Sequence, residues 1–273
     1  KLADMEVCPR LLTSLCDEQS KKTMLVFEFH SLTLHEFGIS AGEIIREKQQ
    51  AHDFATKLMA QMIDILEAIH TAGIIHCNVC PYKIILRRDL KKFMLADLAD
   101  AVEAGHNNFN IKRRPYLNDT YCSIRMSREK NPEDARPTDD MESLLYSVLD
   151  VCIQGGLPWF ANRRDTLSMK TTFRNVLMKD SHVVVEPHVK KQITDFVDAL
   201  PQFFRELLRC CYTSRKENDG IIDYGKFREI IGLRKTGDST EEEHPFDWSE
   251  NDKKKIRNAE CLRELWWNHR IST

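Results

Sequence analysis

Apolar residues recur at helical spacing through the run HDFATKLMAQMIDILEAIH. Phe54, Leu58, Met62, Ile65, Leu66 and Ile69 fall on one face, which predicts an amphipathic helix buried along that stripe, and Gly73 lies just past its end. A looser helical pattern starts at Ala41 and breaks near Gln50. Upstream the pattern changes. MEVCPRLLTSLC reads as a helix tail and then a strand, with Pro9 at the break. Thr23 to Phe29, TMLVFEF, is β-branched, aromatic and apolar, which suits a buried strand, and HSLTLHEFG follows as a polar turn and a short helix.

Beyond Gly73 the stretch IIHCNVCPYKIILRRDLKKFMLADLADA alternates apolar runs with isolated polar residues. It reads as a tight polar loop and two short strands joined by a charged turn. A loop rich in Asn, Lys and Arg covers 103–121, and NPEDARPTD is a surface turn. DDMESLLYSVLDVCIQGG then turns sharply apolar: Leu144, Leu145, Val148, Leu149 and Cys152 predict a central helix, buried on more than one side, with Asp139 or Asp140 as its cap. Shorter helices follow at Arg163–Met178, after Pro187, after Pro201 and over GIIDYGKFREIIGL. Residues 235–248, with their acidic STEEEH, read as a linker, and 249–270 as a last helix capped by Ser249. The order is strands early and helices late, with no internal repeat.

Composition narrows the class. The chain has 273 residues, 42% hydrophobic and 30% charged, which is enough for a sizeable core. Forty basic and 42 acidic residues are interspersed, so nothing global points to nucleic acid. No apolar run approaches a membrane span of roughly 18 residues, and no secretory signal is visible. Nine cysteines, several in apolar helical patterns, fit reduced thiols in an intracellular compartment, cytoplasm or nucleus. The chain begins at Lys1 rather than Met, so residues can precede it.

The isolated polar residues carry the candidate chemistry: His76, Asn78, Lys83 and Asp97 stand between apolar runs, where a polar group belongs to a site or to a bonded loop core. Cys77 and Cys80 have the spacing of a zinc half-site beside His76, but no second pair follows at a useful distance. Cys210 and Cys211 are adjacent on a helix and point different ways. A Cys–His nucleophile at Cys77 or Cys80 would lack an orienting third residue.

The order of these segments resembles the helical lobe of a eukaryotic protein kinase. IIHCNVCPYKIIL resembles the catalytic loop, usually H-R-D-x-x-x-x-N, and MLADLADA the strand and metal-binding turn usually written D-F-G. RPTDDMESLLYSVLDVCIQGGLPWF, YCSI at Tyr121 to Ile124, and FRELLRCCYTSRKENDGIIDYGKFREII with Asp223 and Tyr224 are similar to segments of the casein kinase 1 superfamily, which includes the vaccinia-related and tau-tubulin kinases. FEFHSLTLHEF resembles the hinge. The likeness spans about residues 5–234. It implies an α+β, protein kinase-like fold, mostly the helical C-terminal lobe with a truncated or partly absent N-terminal lobe. The resulting domains are 1–30 as a remnant of N-lobe strands and hinge, 31–234 as the C-lobe, then the linker and the terminal helix.

The resemblance fails where the chemistry lives. Its catalytic Asp falls on Asn78, and an amide cannot act as an anionic base. The loop Lys falls on Cys80, the second metal ligand on Lys83, and the Arg on Cys77. An ammonium at Lys83 would repel a metal and can occupy its place beside Asp97. The turn keeps Asp97 but has Ala99 for its Gly, so a conformation needing positive φ becomes harder. No G-x-G-x-x-G occurs. His76 is expected to be structural.

These departures imply a catalytically inactive, kinase-like protein-interaction module: no metal is expected, and Asp97 is the residue for one if any binds. Its partner would be a protein, either an active kinase or a second copy of the chain. ATP and Mg²⁺ enter only under the alternatives, a weak phosphotransferase or a nucleotide-binding module without transfer. The candidate contact surfaces are the 103–121 loop with Arg113 and Arg114, the helix after Trp159, and the terminal helix with Trp266 and Trp267.

Overall fold

The computed structural model describes residues 7–17, 22–28, 30, 32–40, 42–45, 48–104, 118–129, 135–153, 156–160, 165–180, 186–217, 220–233 and 246–271, the last eleven by backbone alone. Six short strands are present among them: β1 (Leu11–Asp17), β2 (Lys22–Phe27), β3 (Ile74–Ile75), β4 (Ile84–Leu86), β5 (Phe93–Leu95) and β6 (Val102–Glu103). The helices are α1 (Leu34–Ser40), α2 (Lys48–Thr71), α3 (Ile124–Glu129), α4 (Pro137–Cys152), α5 (Thr166–Met178), α6 (Pro187–Ala199), α7 (Gln202–Glu217), α8 (Tyr224–Ile230) and α9 (Glu250–Ile271). The strands pair antiparallel as three separate two-stranded ladders, β1–β2, β3–β6 and β4–β5. No helix among the described residues is long and apolar enough to cross a membrane.

The chain divides into two compact units. One comprises Lys1–Ala72, Pro81–Asp97 and Glu243–Thr273; the other comprises Gly73–Cys80 and Leu98–Glu242. In the first, α2 buries the whole predicted stripe, from Phe54 to Ile69. It begins at Lys48, so Gln50 lies inside the helix rather than at a break. Ala72 closes it with an N–H bond to Ala68 O, and Gly73 follows at φ +78°, a left-handed position that suits glycine.

The second unit is built on α4, where Thr138 to Leu149 are all buried. The helix starts at Pro137, earlier than the sequence pattern suggests. Asp139 therefore sits in the first turn and accepts the Arg136 N–H at 2.9 Å, while Asp140 turns to another task described below. Trp159 is fully buried, edge-on to Tyr146 and Phe173 at 5.0 and 5.5 Å, and donates its indole N–H to Thr120 O. Lys170 is also fully buried. Its ammonium donates to Asp119 O and Cys122 O and lies over the Tyr146 ring; burial pulls its pKa down. The helix after Trp159, a candidate contact surface, thus turns Met169, Lys170, Phe173 and Leu177 inward.

Two further expectations are corrected. The strand expected to be buried, β2, leaves Leu25 53% and Phe27 47% exposed. Its partner β1 exposes Leu11, Leu12 and Leu15 to a similar degree. Apolar composition gives burial only when a second layer covers the sheet, and among the described residues no third strand pairs with this ladder. The second correction is at the end of the linker. Phe246 and Trp248 are 5% and 8% exposed and stack on each other at 4.8 Å beside Phe54 and Phe93. Trp248 donates its indole N–H to Leu90 O, and the Phe246 N–H bonds Lys91 O. Ser249 caps α9 as its residue type suggests, accepting the Asp252 N–H at 3.2 Å, and α9 buries Ile256 and Ala259 within this unit. Residues 1–6, where a helix tail was expected, and Arg113 and Arg114 lie outside the described residues, as do the side chains of Trp266 and Trp267.

Candidate functional site

The predicted site residues fall into two groups, each within one unit. In the second unit, the loop after β3 carries His76, Asn78 and Cys80, all buried. The loop is fixed from beneath by α4. The Asp140 carboxylate accepts the backbone N–H of His76 at 2.7 Å and of Cys77 at 2.8 Å. These two charge-assisted bonds hold Cys77 at φ +64°, a left-handed conformation that a non-glycine residue seldom adopts. His76 is fully buried, and its Nδ1 accepts the Asn78 N–H at 3.3 Å, a structural bond within the loop. The Asn78 side chain donates its amide to Asp100 Oδ2 at 2.8 Å. The group standing where a catalytic base is expected is thus itself a hydrogen-bond donor to a carboxylate.

In the first unit, Lys83 sits just before β4 and Asp97 two residues past β5. The Lys83 ammonium pairs with Asp97 Oδ2, as the sequence suggests. The pair is not buried: the side chains are 25% and 42% exposed. At that exposure it contributes no more than about 1 kcal/mol. Ala96 N–H to Lys83 O, at 2.8 Å, keeps the two residues opposite each other. The left-handed residue of this turn is Asp97, at φ +64°, while Ala99 sits in a 3-10 turn over Leu98–Asp100. Loss of the glycine therefore carries no conformational cost at position 99.

These residues do not suit a resident Mg²⁺. The ion takes oxygen ligands in near-octahedral geometry, and the neighbour of Asp97 is an ammonium. Among the described residues no group of three His, Cys, Asp or Glu side chains is placed to hold a metal ion.

Cys77 is not placed as a nucleophile either. Burial pushes the Cys77 thiol well above its ordinary value of 9.0, and the carboxylates of Asp140, Asp139 and Asp100 push it further. Burial raises Cys122 as well, from the same ordinary value. Groups with a raised folded pKa contribute stability that is fully present below the unfolded value and lost as pH rises through the folded one. Unfolding free energy is therefore expected to fall from about pH 9 upward. Iodoacetamide at about pH 8 is expected to label exposed Cys16 and spare Cys77 and Cys122. Early labelling of Cys77 in the native protein would restore the nucleophile reading.

Sequence reasoning missed Asp100 and Lys170, and gave Asp140 only a capping role. Asp100 repeats the Leu-Ala-Asp of Asp97 three residues on, which was the available signal. Lys170 gives none, since its carbonyl partners lie 48 and 51 residues away.

No protein-family model matches the sequence, and no curated protein matches it. Among solved structures, one of vaccinia related kinase 3 matches with 16% identity, covering 78% of this chain and 69% of that one, at a TM-score of 0.50. The chain has a protein kinase-like fold, mostly helical, with a reduced strand complement before α1 among the described residues. It is one of 1468 matching solved chains, so the architecture is common and does not by itself name an activity.

Proposed function

We propose that the chain is a catalytically inactive relative of the casein kinase 1 superfamily, near the vaccinia-related kinases, acting as a protein-interaction or regulatory scaffold. One observation carries the reading: the Lys83 ammonium is paired with the carboxylate of Asp97. Phosphoryl transfer depends on metal charge near the phosphates and on a residue that orients the attacking hydroxyl. Here the metal-binding carboxylate of the resemblance neutralises a lysine, and the Asn78 amide is engaged by Asp100. The α4 scaffold beneath the loop keeps its packing, which suits a fold retained for its surface. The partner is a protein, either an active kinase or a second copy of the chain.

The exposure of Asp97 favours a second reading, weak or altered phosphotransfer or nucleotide binding without transfer. A carboxylate 42% exposed can exchange its lysine for a metal-bound nucleotide. Purified protein mixed with ATP and Mg²⁺ separates the two. The expected result is no phosphate transfer and a melting temperature unchanged within about 1 °C. Lys83→Asn, which restores the residue of the resemblance, is expected to stay inactive because Asn78 and Cys80 remain. Transfer by the wild-type chain that Asp97→Ala abolishes would end the inactive reading.

A further inference from the structure

The turn between β4 and β5, RRDLKK, places Arg87, Arg88, Lys91 and Lys92 within six residues against a single carboxylate, Asp89. That carboxylate is occupied in shaping the turn. Its Oδ1 accepts the Lys91 N–H at 2.9 Å, and its Oδ2 lies 3.4 Å from the Arg87 guanidinium. An exposed basic turn is usually mobile and solvated. This one is pinned on every side. Arg87 N–H bonds Lys92 O at 2.8 Å and Leu90 N–H bonds Arg87 O at 2.9 Å. Gln61 on α2 spans it, donating to Lys91 O and accepting the Phe93 N–H. From the C-terminal side, Phe246 N–H and the Trp248 indole bond Lys91 O and Leu90 O. These bonds hold Leu90, 5% exposed, at φ +62°. The backbone that carries these side chains, Arg88 and Lys91 exposed among them, is therefore fixed before any ligand arrives, and that lowers the ordering cost of binding.

Beside the turn is a cavity of about 500 Å³ lined by Glu28, His30, Arg87, Arg88, Asp89 and Met94. That volume is in the range of ligand pockets. The lining carries two guanidiniums and an imidazole, groups that suit a compact dianion, since Arg forks bind phosphate oxygens bidentately. Glu28 and Asp89 on the same lining would repel a continuous polyanion and favour a cation next to the dianion.

We infer that this hairpin and its cavity bind a protein segment carrying a phosphorylated serine or threonine flanked by a basic residue. The inference rests on the protein-binding reading above for its biological sense, and on the hairpin and the cavity beside it for its chemistry. A phosphotransfer result therefore leaves the following test untouched, and the converse also holds.

The immobilised full chain is exposed to degenerate peptide pools with a central phosphoserine or phosphothreonine, to the same pools unphosphorylated, and to oligo-uridine RNA. The phosphorylated pools are expected to be retained at least about tenfold over their counterparts, enriched in Lys or Arg near the phosphate, and released by salt. Arg88→Glu and Lys91→Glu, both exposed and making no ion pair among the described residues, are expected to abolish that retention while leaving the far-ultraviolet circular dichroism unchanged. Equal retention of phosphorylated and unphosphorylated pools, preference for RNA, or retention indifferent to both substitutions would each overturn the assignment.

Discussion

Trp248→Ala is expected to cost the first unit about 3–5 kcal/mol of stability, the range for truncating a buried aromatic. The side chain is 8% exposed, lies parallel to Phe246, and has Phe37 and Phe54 within 5.6 and 6.2 Å. Its truncation removes that packing and leaves Leu90 O without the indole N–H it now accepts at 2.5 Å. A residue in a solvated linker would change stability by about 0.5 kcal/mol or less, so the experiment separates the two readings of this segment cleanly. Urea unfolding followed by circular dichroism avoids the signal of the lost indole. Trp248→Phe keeps the stacking but not the donor and should recover a large part of the loss. A midpoint for Trp248→Ala within error of wild type would mean that the segment does not belong to the core.

The second large effect is expected at Asp140. Its carboxylate accepts two buried backbone N–H groups, those of His76 and Cys77. Hydrogen bonds to a charged group contribute more than neutral ones, and orphaning buried donors costs further. Asp140→Ala is therefore expected to destabilise the second unit by about 3 kcal/mol or more. Asp140→Asn keeps the volume but can satisfy only one donor, because its amide nitrogen faces the other, and should fall between the two. The loss should show locally as well. Cys77 holds its left-handed backbone through these bonds, so amide exchange over 76–80 is expected to accelerate before global unfolding does. Unchanged exchange in Asp140→Asn would mean that the loop is held by something other than α4.

Both effects come from partners remote in the chain, and that distinguishes what could be read early from what could not. The helices were legible. The stripe from Phe54 to Ile69 recurs with the period of a helix, and every member of it is buried. The almost continuous apolar run in α4 likewise announced a helix enclosed on more than one side. The Lys83–Asp97 pair was foreseeable from residue types at positions resembling a kinase site. Strand burial was not, because an apolar strand such as β2 is covered only if another layer reaches it. Leu25 and Phe27 stay about half exposed.

Taken by itself, the sequence determined the helical framework, the kinase-like order of its elements and the absence of an anionic residue at position 78. These follow from residue identity and from neighbours three or four positions apart. Only the tertiary structure decided that Phe246 and Trp248 belong to a core, that Asp140 holds a loop rather than capping a helix, and that the basic turn after β4 is rigid. Those outcomes rest on hydrogen bonds spanning 158 residues for Trp248 and Leu90 and 63 for Asp140 and Cys77. The physical reason is that local spacing sets which face of an element is apolar, whereas which distant donor or ring meets that face depends on how the elements pack.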